Sequence, residues 1–169
     1  MNPFIFFDYI GLYAYIILFF FSIILLRNKT NYLKFFIAGF IFNNLLNNIL
    51  KLLFKEPRPT KDQKAIEIGV NNGIRIGYDK FGMPSGHAQN CAYCLAFIFM
   101  TLHNIYISLF YLVITIITIF QRYKYNNHTI FQLFIGFIIG SCVGYSIYLF
   151  ANKIITGDIT IKQDDYGPL

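Results

Sequence analysis

Residues 104–151 read NIYISLFYLVITIITIF, then QRYKYNNH, then TIFQLFIGFIIGSCVGYSIYLFA. One apolar run ends at Phe120, eight hydrophilic residues follow, and a second apolar run extends from Thr129 to Ala151. A helix that crosses a bilayer needs about 20 mainly apolar residues. The stretch therefore predicts two antiparallel spans joined at one membrane face, with Arg122 and His128 at the joint. Towards the N-terminus the same criterion gives three more segments, Tyr9–Leu26, Leu33–Phe54 and Pro84–Leu102. The predicted fold is all-α: a polytopic membrane helix bundle of about five transmembrane helices. It forms a single integral membrane domain over residues 1–169, with a polar tail at 157–169.

Composition points the same way. Of 169 residues, 56% are hydrophobic, 20% aromatic and 13% charged, which is too apolar for an ordinary soluble domain. Met1–Asp8 lacks the cationic start of a signal peptide and no small-residue cleavage site follows, so the first run is expected to be a retained helix. The net charge of +6 is scattered over loops. The expected partners are the bilayer and an anionic lipid, not nucleic acid. Cys91, Cys94 and Cys142 are expected to pack: a closed zinc site needs four ligands, and a disulfide framework needs a cysteine-rich exterior.

Three hydrophilic pieces edge the apolar segments: Lys51-Leu-Leu-Phe-Lys-Glu-Pro-Arg58-Pro59, Pro84-Ser85-Gly86-His87, and Arg122-Tyr-Lys-Tyr-Asn-Asn-His128-Thr-Ile-Phe-Gln132. Five helices place all three on one face; one segment more or fewer would part them by the roughly 30 Å hydrocarbon core. Singly, each has a plain reading, as snorkelling helix-end cations, interfacial histidines or a Pro-Ser-Gly turn. Jointly they supply a phosphate site. Lys51, Arg58 and Arg122 can neutralise non-bridging oxygens, the arginines with two parallel hydrogen bonds each. Ser85 and Gly86 sit where a helix N-terminus favours an anion. His128 is the expected nucleophile, and His87 the acid that protonates the leaving oxygen and then the base that activates water. No metal or cofactor is required, since the eight carboxylates lie outside the apolar segments and show no ligand spacing. His103, on the opposite face, has no expected role. Asn44, Asn47, Asn48 and Lys51 share one helix face and are expected to turn into the bundle. Gly136, Gly140 and Gly144 recur every fourth residue and should admit a close helix neighbour.

On these motifs the chain resembles the type 2 phosphatidic acid phosphatase (PAP2) superfamily, whose signatures are Lys-x6-Arg-Pro, Pro-Ser-x-His and Ser-Arg-x5-His-x3-Asp. The resemblance implies a membrane lipid-phosphate phosphatase with a phosphohistidine intermediate, and a motif-bearing core at about 43–145. Gln121 stands where the family has Ser, and Gln132 where it has Asp. In the family that Asp accepts a hydrogen bond from the nucleophilic histidine; Gln132 is expected to do so through its carbonyl oxygen, without charge. Gln at this place, with Glu56-Pro57-Arg58-Pro59 and Gly82-Met83-Pro84-Ser85, resembles the dolichyl-diphosphate phosphatase branch, which usually has Ser where Gly86 stands. The implied reaction takes a polyprenyl (dolichyl-type) diphosphate to the monophosphate and phosphate. A diphosphate expels a phosphate monoester, so a weaker nucleophile–orienter pair suffices. Two alternatives stay open: a broader lipid-monophosphate phosphatase, and a non-catalytic lipid-phosphate-binding protein that loss of the Asp would permit. Arg27 and Lys29 in a short loop, with Lys34 beyond, favour a cytoplasmic position there, so the active face is expected to be lumenal or extracytoplasmic.

Overall fold

A computed structural model describes residues 3–59, 68, 71–72 and 80–157. The expected polar tail beyond Gly157 and most of the 60–79 loop lie outside the described residues. Among the described residues five helices follow one another: α1 Pro3–Leu25, α2 Thr30–Phe54, α3 Gly86–Leu102, α4 Ile105–Lys124 and α5 Ile130–Gly157. Outside them, Pro57 and Phe81 form an isolated antiparallel bridge. Among the described residues four stretches are long and apolar enough to cross a membrane, Phe7–Leu25, Thr30–Phe54, Ile105–Lys124 and Ile130–Ile155.

The exception is α3. Its 17 residues extend about 25 Å at 1.5 Å per residue, short of a full crossing. Every residue from Ala88 to Cys94 is buried, as in a helix enclosed by neighbours on all sides. The helix starts at Gly86, two residues later than expected, because Ser85 keeps an extended backbone as its N-cap. At its far end His103 takes the left-handed conformation and returns its N–H to the Phe99 carbonyl. The Asn104 side chain then caps α4, accepting from the N–H groups of Tyr106 and Ile107 at 3.0 and 3.2 Å, a favourable end for a helix otherwise left with orphan donors.

The seam between α3 and α5 is backbone against backbone. A Cβ on Gly136 would lie 2.6 Å from the Ser85 carbonyl oxygen, one on Gly144 would lie 2.6 Å from that of Tyr93, and one on Gly140 would overlap the Gln89 carbonyl. The four-residue glycine spacing thus serves as expected. Cys142, two residues from both Gly140 and Gly144, is turned by the 3.6-residue period to the other side of α5. It is exposed, unlike buried Cys91 and Cys94, so the expected packing holds for two of the three cysteines.

Side-chain amides join α2 to α3. Asn43 donates to Asn90 Oδ1 at 2.7 Å, Asn47 to Gln89 Oε1 at 2.7 Å, Asn90 to Asn44 Oδ1 at 2.8 Å, and Gln89 to Asn43 Oδ1 at 2.9 Å. The polar stripe of α2 is centred on buried Asn43, Asn47 and Lys51, one position round from the expected face. Further from this seam the core is aromatic. Phe36 and Phe97 have ring centroids 5.4 Å apart, and Tyr93 donates to the Phe36 carbonyl at 2.8 Å.

Gly140→Ala is expected to destabilise the protein by about 1–3 kcal/mol, the cost of forcing atoms into a packed interior. Cys142→Ala, on the exposed side of the same helix, should stay within about 0.5 kcal/mol of wild type. Thermal denaturation of both variants in detergent tests this, and equal melting temperatures would contradict the seam.

Candidate functional site

The three motif-bearing connections meet at one end of the bundle. Lys51 closes the last turn of α2 and Arg122 that of α4; both are buried. His128 lies two residues before α5 and is 2% exposed. The charges of Lys51, Arg58 and Arg122 all bear on His87, and those of Arg58 and Lys51 also bear on His128. Five of the expected site residues, Lys51, Arg58, His87, Arg122 and His128, are therefore neighbours. Ser85 and Gly86 enter from the start of α3. A Cβ at Gly86 would lie 3.2 Å from Asn47 Oδ1, so the Ser usual at this position would press on the amide that ties α2 to α3. The Ser85 hydroxyl makes no cap on α3. Among the described residues its Oγ is the one buried side-chain polar atom without a partner.

His128 is held by two groups with opposite demands. Nδ1 lies 2.8 Å from the Gly82 carbonyl oxygen, and Nε2 lies 3.3 Å from Arg58 Nη1. A carbonyl can only accept and a guanidinium can only donate. The ring must therefore carry its proton on Nδ1 and point the Nε2 lone pair at Arg58. Burial first, and then the Arg58 charge, hold His128 well below the ordinary imidazole range, which keeps Nε2 unprotonated at neutral pH.

α1 contributes to the site, which no feature of its sequence announced. The His87 ring donates to the Leu12 carbonyl, and the Tyr15 ring meets it edge-on, centroids 4.9 Å apart at 78°. Gln121, in place of the family's Ser, accepts from Arg122 Nε at 2.7 Å and so orients that cation. Room for Gln121 comes from Gly11, where a Cβ would lie 2.6 Å from Gln121 Cβ. Asp8 pairs with Lys124 at 3.0 Å and ties α1 to the end of α4.

Gln132 does not do what was expected of it. It makes no hydrogen bond to His128, because both ends of its amide are engaged elsewhere. Thr129 N–H donates to Gln132 Oε1 at 3.2 Å and Gln132 N–H donates to Thr129 Oγ1 at 3.1 Å, a reciprocal capping box at the start of α5. Gln132 Nε2 donates to the Glu56 carboxylate at 2.7 Å and to the Pro57 carbonyl at 3.0 Å. Thr129-x-x-Gln132 was a readable signal for the cap. Nothing in the sequence pointed to Gly82 as the partner of His128.

The chain is 28% identical over 127 residues to the dolichyldiphosphatase of Saccharomyces cerevisiae (strain ATCC 204508 / S288c). That match covers 69% of this chain and 50% of the yeast protein, so the chain spans about half the length of its relative. No solved structure matches significantly. The PAP2 superfamily matches residues 31–155, a span holding all three motifs and every helix but α1. The chain belongs to the PAP2 superfamily.

Proposed function

We propose that this protein is an integral membrane lipid phosphatase that hydrolyses a polyprenyl diphosphate, of the dolichyl type, through a phosphohistidine on His128. The observation that carries the reading is the fixed tautomer of His128, whose Nε2 lone pair faces Arg58 in a setting of three cations. The buried, unpartnered Ser85 Oγ and the free N–H groups at the start of α3 suit a phosphoryl oxygen. In the first step Nε2 attacks phosphorus, the bond from phosphorus to the bridging oxygen breaks, and the electron pair leaves on that oxygen, which takes a proton from His87 in its imidazolium form, a form that the bound substrate's negative charge supports by offsetting the cations around the ring. Lys51, Arg58 and Arg122 offset charge on the non-bridging oxygens. His128 keeps its Nδ1 proton, so the phosphorylated ring is cationic and the Gly82 carbonyl supports it. Neutral His87 removed from its proton then takes one from water; hydroxide attack releases phosphate and restores His128.

The diphosphate preference rests on the named activity of the yeast relative and on leaving-group chemistry. An apolar groove of about 560 Å³ between α4 and α5, lined by Leu112, Ile116, Phe120, Tyr123, Ile130 and Phe134 among others, suits a hydrocarbon tail. The Arg27 and Lys29 loop favours a lumenal or extracytoplasmic active face. The non-catalytic alternative depended on the missing Asp. Gly82 supplies an acceptor for His128 instead, which supports the catalytic reading.

Purified protein in detergent should release phosphate from polyprenyl diphosphate faster than from the monophosphate of the same lipid, with EDTA present. His128→Ala should reduce release to background, and an acid-labile phosphoenzyme should be trapped on wild type and not on His128→Ala. His87→Ala should slow turnover by about 10²–10⁴, the usual contribution of a positioned acid–base group. A phosphoenzyme on another residue, or an active His128→Ala variant, would overturn the assignment.

The pH profile gives a second test. Protonating His128 removes the nucleophile, and its depressed pKa means that this occurs only well below the ordinary histidine value of about 6.5. The kcat/KM of wild type should therefore show no acid limb from the enzyme near pH 6.5, once substrate ionisation has been measured separately. Arg58→Gln, which removes one cause of the depression, should move the limb towards neutrality as it weakens binding.

A further inference from the structure

We infer that Glu56 and Gln132 are positioning residues for His128, acting through the Gly82 carbonyl; the kinetic part of this inference rests on the phosphatase reading. Gly82 is held from both sides. Its N–H donates to the Glu56 carbonyl at 2.7 Å, and its carbonyl accepts from His128 Nδ1 at 2.8 Å. Behind it lies the Gln132 amide, so close that any Cβ on Gly82 would overlap it. The same amide donates to the Glu56 carboxylate and the Pro57 carbonyl. Residue 56 thus binds the loop with its backbone and the start of α5 with its side chain. Pro57 pairs with Phe81 on the neighbouring stretch. Arg58, next in the chain, reaches the other nitrogen of His128.

This clamp is over-determined in chemistry as well as in space. The Thr129 N–H can only donate and the Glu56 carboxylate can only accept, which fixes the orientation of the Gln132 amide between them. An Asp or Glu at 132 would satisfy Thr129 but would face the Glu56 carboxylate and the Pro57 carbonyl with no proton to offer. In this chain an amide at 132 and an acid at 56 are two halves of one device. The acidic group of the site has moved from the residue beside the histidine to the strap that carries Arg58.

Without the Glu56 side chain, Gly82 and Arg58 lose a common anchor, and the two groups that set the His128 tautomer drift together. A displacement of about 1 Å costs about 10² in rate. Glu56→Ala should therefore lower kcat by about 100-fold with a smaller change in KM. Glu56→Gln, whose carbonyl oxygen still accepts from Gln132, should stay within about tenfold of wild type. Gln132→Glu should lose about 100-fold or more, and adding Glu56→Gln to it should restore at least tenfold, because an amide donor again faces a carboxylate. A merely structural role predicts no such rescue.

A readout independent of turnover completes the test. The chain has three histidines, so ¹⁵N-histidine spectra of detergent-solubilised protein are readily assigned, with the His128 signals identified by their loss in His128→Gln. Wild type and Glu56→Gln should show neutral His128 protonated on Nδ1, whereas Glu56→Ala should shift towards a mixture of tautomers while eluting as folded protein. An unchanged tautomer and unchanged kcat in Glu56→Ala would overturn the inference and leave the phosphatase assignment standing. Wild type that holds the Nδ1–H tautomer through Glu56 but releases no phosphate from any lipid would overturn the phosphatase assignment and support the clamp.

Discussion

Two helix backbones in direct contact set the geometry of everything else. Gly136, Gly140 and Gly144 let α5 lie against the carbonyls of Ser85, Gln89 and Tyr93, so α3 and α5 approach more closely than helices with side chains between them can. The Ser85 N–H donates to the Gln132 carbonyl at 3.2 Å at the end of this seam, joining the second motif to the third. Between apolar helices in lipid there is little hydrophobic gain on association, and close van der Waals packing takes its place. The enclosed α3 can then afford Gln89 and Asn90, because α2 presents asparagines that satisfy them. Buried amides of this kind cost about 1–3 kcal/mol each when a partner is lost, which favours one register of α2 on α3 over its neighbours.

The helix count, the sidedness of the motifs and the glycine seam were legible in the sequence because each follows from period and length. Helix ends were less so. α3 begins at Gly86 because the turn before it is shaped by contacts with α5, which no local pattern encodes. The polar stripe of α2 was read one position off for a similar reason. Asn44, Asn47, Asn48 and Lys51 match a helical face, but burial is decided by where Gln89 and Asn90 lie, and that selects Asn43 in place of Asn48.

Within the site, the cationic and imidazole side chains were legible and their supports were not. Lys51, Arg58, His87, Arg122 and His128 carry side chains whose chemistry is read from their names. Gly82 acts through a carbonyl that every residue possesses, and Leu12 does the same for His87. Such backbone partners leave no trace in residue type. Gln132 was misread because a side chain in the place of a family acid was assumed to keep that acid's partner. Tertiary contacts with Glu56 and Pro57 reassigned it. α1 lies outside the stretch matched by the family, yet it supplies the surroundings of His87. The matched stretch holds both site histidines, and a helix beyond it encloses one of them.

The capping box at Thr129 and Gln132 ties the site to the end of one helix. One amide both closes the first turn of α5 and holds the strap bearing Arg58, so fraying of that turn and loss of site geometry are a single event. Gln132 is buried and its carbonyl accepts from Ser85, so this turn is fastened to the glycine seam and should open with it. Heat should then silence the site and part the two helices in one transition.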